Sequence, residues 1–88
     1  MKVQNMHGRT GREVANQFII IDDEGRHWFQ SYQTIIAVKG LDGVVWLDRN
    51  YWDYSATTSK YRNQFLNETK GETEGKIKES VYKLTTLN

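Results

Sequence analysis

Asp48-Arg49-Asn50-Tyr51-Trp52-Asp53-Tyr54-Ser55-Ala56-Thr57-Thr58-Ser59-Lys60-Tyr61-Arg62-Asn63-Gln64-Phe65-Leu66 is where this chain stops reading as strand and starts reading as helix. Four of its eight Trp and Tyr residues fall between Tyr51 and Tyr61. The helical signal is periodic: Tyr54, Thr58, Tyr61 and Phe65 follow one another at spacings of four, three and four, which stacks them on one helix face. Leu66 widens that apolar stripe, while Thr57, Lys60, Gln64 and Asn67 fall on the opposite side, toward water. Asp53 or Ser55 can accept from the free N–H groups at the helix start, so either is a candidate N-cap.

Upstream of this corner the chain reads as sheet. Met1 to Arg12 is polar and is expected to be a flexible N-terminal loop. Glu13–Ile21 is rich in β-branched and aromatic residues and predicts a strand. Asp22-Asp23-Glu24-Gly25 is a turn, and Arg26–Tyr32 returns as a second strand. Its alternation puts Trp28, Gln30 and Tyr32 on one face and His27, Phe29 and Ser31 on the other. Gln33–Lys39 is a third strand with Ile35, Ile36, Ala37 and Val38 expected inside. Gly40-Leu41-Asp42-Gly43 is a second hairpin turn, ending in the Asp-Gly signal. Val44–Leu47 is the fourth strand.

Downstream, Glu68–Glu74 is polar, and Gly71 is expected to break the first helix from the segment after it. Thr73–Ser80 predicts a short second helix with Ile77 and Val81 as its apolar stripe. A helix of two turns is not stable alone and must dock on the sheet. Tyr82–Leu87 alternates as a last strand, expected at an edge of the sheet because its backbone groups need partners. The fold class is therefore α+β: an antiparallel meander of four to five strands packed by one or two short helices, in a single domain over residues 1–88.

The 88-residue length fits one domain. A chain of this size buries only about 60–65% of its unfolded surface, so a modest core must suffice. There is no Cys, which excludes disulfides, thiolate metal ligands and a Cys nucleophile. No apolar run exceeds the four residues of Phe18 to Ile21, which is strand-sized, and Met1–Gly8 lacks the apolar stretch of a signal peptide. These features predict a cytoplasmic protein with no membrane partner. A net charge of +1, from 12 basic and 11 acidic residues, argues against both a strongly basic nucleic-acid binder and an acidic DNA mimic.

Catalytic signals are sparse. His7-Gly8-Arg9-Thr10-Gly11-Arg12 has the glycines of a phosphate loop but neither its Gly-Lys-Ser/Thr ending nor a preceding strand. Asp22-Asp23-Glu24 lacks the alternating ligands of a calcium loop and reads as a solvated turn. His7 and His27 stand in no metal-ligand spacing, and there is no Gly-x-Ser-x-Gly elbow. No catalytic residue, metal or cofactor is expected. The stronger signal is the interleaving of aromatic and cationic residues: Arg49, Trp52, Tyr54, Lys60 and Arg62. Trp, Tyr and Arg dominate protein-binding hot spots, and the same set stacks on bases and follows phosphates in single-strand binders. The competing use is structural. Tyr61 and Phe65 fit core positions better, whereas Trp52 and Tyr54 suit core and surface equally.

The same corner carries a resemblance. Trp52-Asp53-Tyr54-Ser55-x-Thr57-Thr58-x-Lys60-Tyr61-Arg62-Asn63-x-Phe65-Leu66 resembles the signature of a small uncharacterised family found in tailed bacteriophages and related mobile elements. Gly11-Arg12-Glu13-Val14-Ala15-Asn16-Gln17-Phe18, Phe29-Gln30-Ser31-Tyr32 and Leu87-Asn88 fit the same family. The resemblance spans nearly the whole chain. It implies a phage or prophage accessory protein in the bacterial cytoplasm and transfers no catalytic residue. Such proteins commonly act by binding, so the leading expectation is a non-enzymatic effector that engages a host protein, such as a defence component. The alternative is a weak nucleic-acid-binding module using Arg9, Arg12, Arg49, Lys60 and Arg62 with Trp52 as stacking platform. A homodimer through an open sheet edge is a further expectation.

Overall fold

The computed structural model describes residues 1–88. Six strands, β1 (Lys2–His7), β2 (Glu13–Ile21), β3 (His27–Ser31), β4 (Thr34–Lys39), β5 (Val45–Asp48) and β6 (Tyr82–Thr85), form one sheet in the order β1-β2-β3-β4-β5-β6. Two helices, α1 (Ala56–Leu66) and α2 (Lys70–Lys78), lie between β5 and β6 in the chain. The first five strands pair antiparallel, each with the next. β6 pairs parallel to β5, with Val45 opposite Tyr82 and Asp48 opposite Thr85. A parallel return requires a long crossover, and the two helices supply it.

The α+β class stands, with three corrections, the first being that the last strand pairs parallel, so the sheet is not a wholly antiparallel meander. The sheet has six strands rather than four or five. The additional strand is Lys2–His7, in the segment expected to be a loop. Its polar composition suits an edge position, where the backbone pairs with β2 while only Met6 points fully inward. Strand pairing here needs backbone partners more than apolar side chains, so composition alone hid it.

α1 begins where its cap chemistry dictates. Ser55 is the N-cap, and its side chain accepts from the Thr58 N–H. Thr58, Tyr61 and Phe65 are buried as the periodicity required, and Lys60 and Gln64 face water. Tyr54 precedes the helix and is exposed, so the stripe starts one turn later than expected. Asn67 ends the helix in the left-handed conformation (φ 55). α2 starts three residues earlier than Thr73. Thr69 and Glu72 form a reciprocal capping box, satisfying two helix-start N–H groups, and Gly71 sits within the first turn rather than breaking the chain. Of the expected α2 stripe, Ile77 packs against the core, while Val81 lies past the helix and is exposed.

Both helices cover the same face. Its core joins Met6, Phe29, Ile36, Ala37, Val45, Leu47, Tyr61, Phe65 and Tyr82. Phe29 and Phe65 stack with centroids 5.7 Å apart, fastening α1 to β3. Lys39 donates to the Phe65 carbonyl at 2.8 Å, placing a cation at the helix C-terminus where the macrodipole favours one. Burial holds the Lys39 ammonium below its usual pKa. α2 is fastened by Glu68. Its carboxylate accepts from Thr73 Oγ1 (2.9 Å), Lys76 Nζ (3.1 Å) and the Tyr82 hydroxyl. Burial works against the charge on Glu68, but these donors outweigh it and lower its pKa.

Candidate functional site

The aromatic corner divides into an inward and an outward set. Asp48 closes β5 as a buried carboxylate. It accepts from the N–H groups of Asn50 and Tyr51 at 3.0 Å each, Leu87 N–H at 2.8 Å and Asn88 Nδ2 at 3.1 Å. Burial opposes its charge, and the donors overcome that and hold the pKa below the ordinary value. Arg62 lies beneath the corner with its side chain fully buried. One terminal nitrogen donates to the Trp52 carbonyl (2.7 Å) and to Asp53 Oδ1 (2.9 Å), and the other donates to Asn63 Oδ1 (2.9 Å). The guanidinium carbon is 5.0 Å from the centroid of the Trp52 ring. Asp53 is shared with Lys70, whose Nζ sits 2.8 Å from Oδ2. Burial opposes the charge on Asp53. Hydrogen bonds from Lys70, Ser59 and Arg62 prevail and bring its pKa from 3.8 to about 2.

This geometry corrects part of the expected surface. Arg62, expected to face outward, is a core residue, because only an arginine fork reaches the Trp52 carbonyl, Asp53 and Asn63 together. Trp52 is half-buried, packed against the core and occupied by that guanidinium, so it is not a free stacking platform. Arg49, Tyr54 and Lys60 do face water. Tyr54 meets Tyr51 edge to face at 5.4 Å, and Lys60 Nζ lies 5.3 Å from the Tyr61 ring centroid. Arg49 and Lys60 form no ion pair, in contrast to Arg62.

A second feature is not visible in the sequence. The register aligns Val3, Ile20, Trp28, Val38, Trp46 and Lys83 in one row across all six strands. This row lies on the face that carries no helix. Around Trp28, Val38 and Trp46, together with Leu41, Thr85 and Leu87, the surface sinks into an open hollow of about 460 Å³. Trp46 is 40% and Leu41 69% exposed. Asp22 fixes one wall. Its carboxylate accepts from Trp28 Nε1 at 3.0 Å and Arg26 Nε at 2.7 Å, and also caps the turn through the N–H groups of Glu24 and Arg26. The indole N–H, followed by Arg26, holds the Asp22 pKa well below the usual carboxylate range. The acidic turn is thus partly solvated, as expected, and partly a brace for Trp28. Trp46 was legible only as a residue of the fourth strand; that no helix packs over it is not written in the sequence.

No three His, Cys, Asp or Glu side chains converge as metal ligands would. His7 and His27 are both exposed, and His27 Nδ1 pairs locally with the Gly25 carbonyl at 3.1 Å. No helix is long and apolar enough to cross a membrane.

A family model described as a family of unknown function (DUF8033) matches residues 1–81. The chain belongs to this family. No curated protein and no solved structure matches it. For this member of DUF8033, function must therefore be argued from its surfaces, and the two that stand out are the helix-free sheet face and the outward part of the corner.

Proposed function

We propose that this chain is a non-enzymatic accessory protein that acts by binding another protein, working in the cytoplasm of a bacterial host as part of a phage or prophage. The observation that carries the reading is the hollow built by Trp28, Val38 and Trp46 on the helix-free face. Hot spots on protein partners are enriched in Trp and Arg set in well-packed pockets. Here Trp28 is held rigid by Asp22, with Arg26 6.0 Å from its ring centroid, so little side-chain freedom remains to be lost on binding. The resemblance to phage proteins supports the host setting and favours a host defence component as the partner class. Arg49, Tyr54 and Lys60 extend the interaction surface at the corner.

The test is a pull-down from bacterial lysate with folded protein, run in parallel with Trp46→Ser and Leu41→Ser variants. A stoichiometric protein partner retained by the parent and lost by both variants supports the reading. Equal capture by the variants removes the hollow as the site, and the absence of any stoichiometric partner removes the function.

A further inference from the structure

The two ends of the sheet differ in charge. Because β1, β3 and β5 run in one direction, the turn after β1 (residues 8–12), the Tyr32-Gln33 turn after β3 and the corner after β5 (residues 49–55) all gather at the same end. They bring Arg9, Arg12 and Arg49 there, none of them ion-paired. Of the acids at this end, Asp53 is already committed to Arg62 and Lys70, which leaves Glu13, the exposed first residue of β2, beside Arg12. The turns at the opposite end, residues 22–26 and 40–44, hold Asp22, Asp23, Glu24 and Asp42 against Arg26 and the N-terminal ammonium, which pairs with Asp23. The net charge of +1 conceals this segregation.

The basic end also displays aromatic rings. Tyr51 and Tyr54 are exposed at the corner. Tyr32 is 53% exposed at a turn position with φ 57. Left-handed backbone is costly for a bulky side chain, and the first position of such a two-residue hairpin turn ordinarily goes to Gly, Asn or Asp. The conformation is held by two hydrogen bonds, Tyr32 N–H to the Asn16 carbonyl (2.6 Å) and Gln30 Nε2 to the Tyr32 carbonyl (2.7 Å). Strain retained at an exposed residue and locked by its surroundings is the pattern of a functional position. Tyr32 borders an open recess with Asn16, Phe18, Gln33 and Thr34, two of which carry amide side chains. A flat ring to stack on, amides to pair with a base edge, and unpaired arginines for phosphates are the parts of a single-strand site.

We propose that this end of the sheet binds single-stranded nucleic acid, with Tyr32 as the stacking platform and Arg9, Arg12 and Arg49 along the backbone path. The surface shares Arg49 with the corner but includes none of Trp28, Val38 and Trp46, and it stands independently of that hollow. Trp52 and Arg62 take no part, since both are spent inside the fold.

The test is fluorescence anisotropy of a labelled oligothymidylate of about 12 nucleotides, within the range of known single-strand site sizes. Binding is expected at low salt, weakening steeply as salt rises. Replacing Arg9, Arg12 and Arg49 together by Gln should flatten the log–log salt slope by about 2, at about 0.7 for each phosphate no longer neutralised. Tyr32→Gly should weaken binding by about fivefold or more, the loss of one stacked base, while melting no lower than the parent. Tyr32→Asn, which also tolerates this backbone, should behave alike, and Tyr32→Phe should retain affinity. Trp46→Ser should leave oligonucleotide binding unchanged, which separates this surface from the protein-binding hollow. The proposal is overturned by no binding at low salt, by full affinity in Tyr32→Gly, or by equal affinity for duplex of the same length, which would mark a plain polycation.

Discussion

Trp46 and Leu47 are neighbours in β5, yet the two faces of the sheet treat them differently. Leu47 continues the row Gln4, Ile19, Phe29, Ala37, Leu47 and Leu84, whose centre lies under α1 and is fully buried. Trp46 belongs to the row Val3, Ile20, Trp28, Val38, Trp46 and Lys83, which no helix covers. Both rows are largely apolar at their centres. A sheet with one solvated face normally makes that face polar. Here the uncovered face instead carries two of the three tryptophans. The covered row holds the larger part of the core, whereas in the uncovered row Val38 is buried and Trp46 stays 40% exposed.

That contrast can be broken most forcefully from the covered side. Phe29→Ala should destabilise by about 3–5 kcal/mol in denaturant unfolding, since it removes a fully buried ring and its stack on Phe65. Arg62→Ala should cost about 3 kcal/mol or more, because removing one partner of a buried ion pair leaves the others unpaired. If Arg62→Ala melts like the parent, the inward assignment of the corner is wrong.

Acid probes the same side. Asp48, Asp53 and Glu68 all have folded pKa values below their unfolded values of 3.8, 3.8 and 4.5. Their stabilisation is complete above those unfolded values and is lost as pH falls through the folded ones. Unfolding followed by circular dichroism should therefore show stability flat from about pH 5 to about pH 8 and falling between about pH 4 and pH 2. Asp53→Asn should make that decline shallower.

Smaller effects sharpen the division. Ser55→Ala should cost about 1 kcal/mol by removing the α1 cap. Trp46→Ser should cost about 1 kcal/mol or less, as for a partly exposed surface residue. A Trp46→Ser loss as large as that of Phe29→Ala would mean that the helix-free face is a second core rather than a binding surface.

Much of the fold was legible because its periodicities were strong. The alternation of Phe29 and Ser31 against Trp28 and Gln30, and the spacing of Thr58, Tyr61 and Phe65, needed only a strand and a helix repeat. β1 was not legible, because an edge strand can be polar when its backbone alone does the pairing. The start of α2 was written in Thr69 and Glu72, and Gly71 masked it. The site was harder still. Arg49 and Arg62 are the same residue type in the same corner, and one is exposed while the other is fully buried. What separates them is a convergence of the Trp52 carbonyl, Asp53 and Asn63, which exists only in three dimensions. Trp28 and Trp46 were visible as strand residues, but their shared row depends on the register of three strands.

The parallel seam between β5 and β6 has a kinetic consequence. Each of the first five strands meets its neighbour across a short turn, so residues 2–48 can zip together by successive hairpins at small loop-closure cost. The seam must instead await residues 49–81, helices included, before its first hydrogen bond forms. β6 should therefore join last in refolding, and its amides should exchange with solvent sooner than those of β3 and β4. The Asp48 carboxylate, which ties Leu87 and Asn88 beside that seam, is then the latch that a folding chain closes at the end.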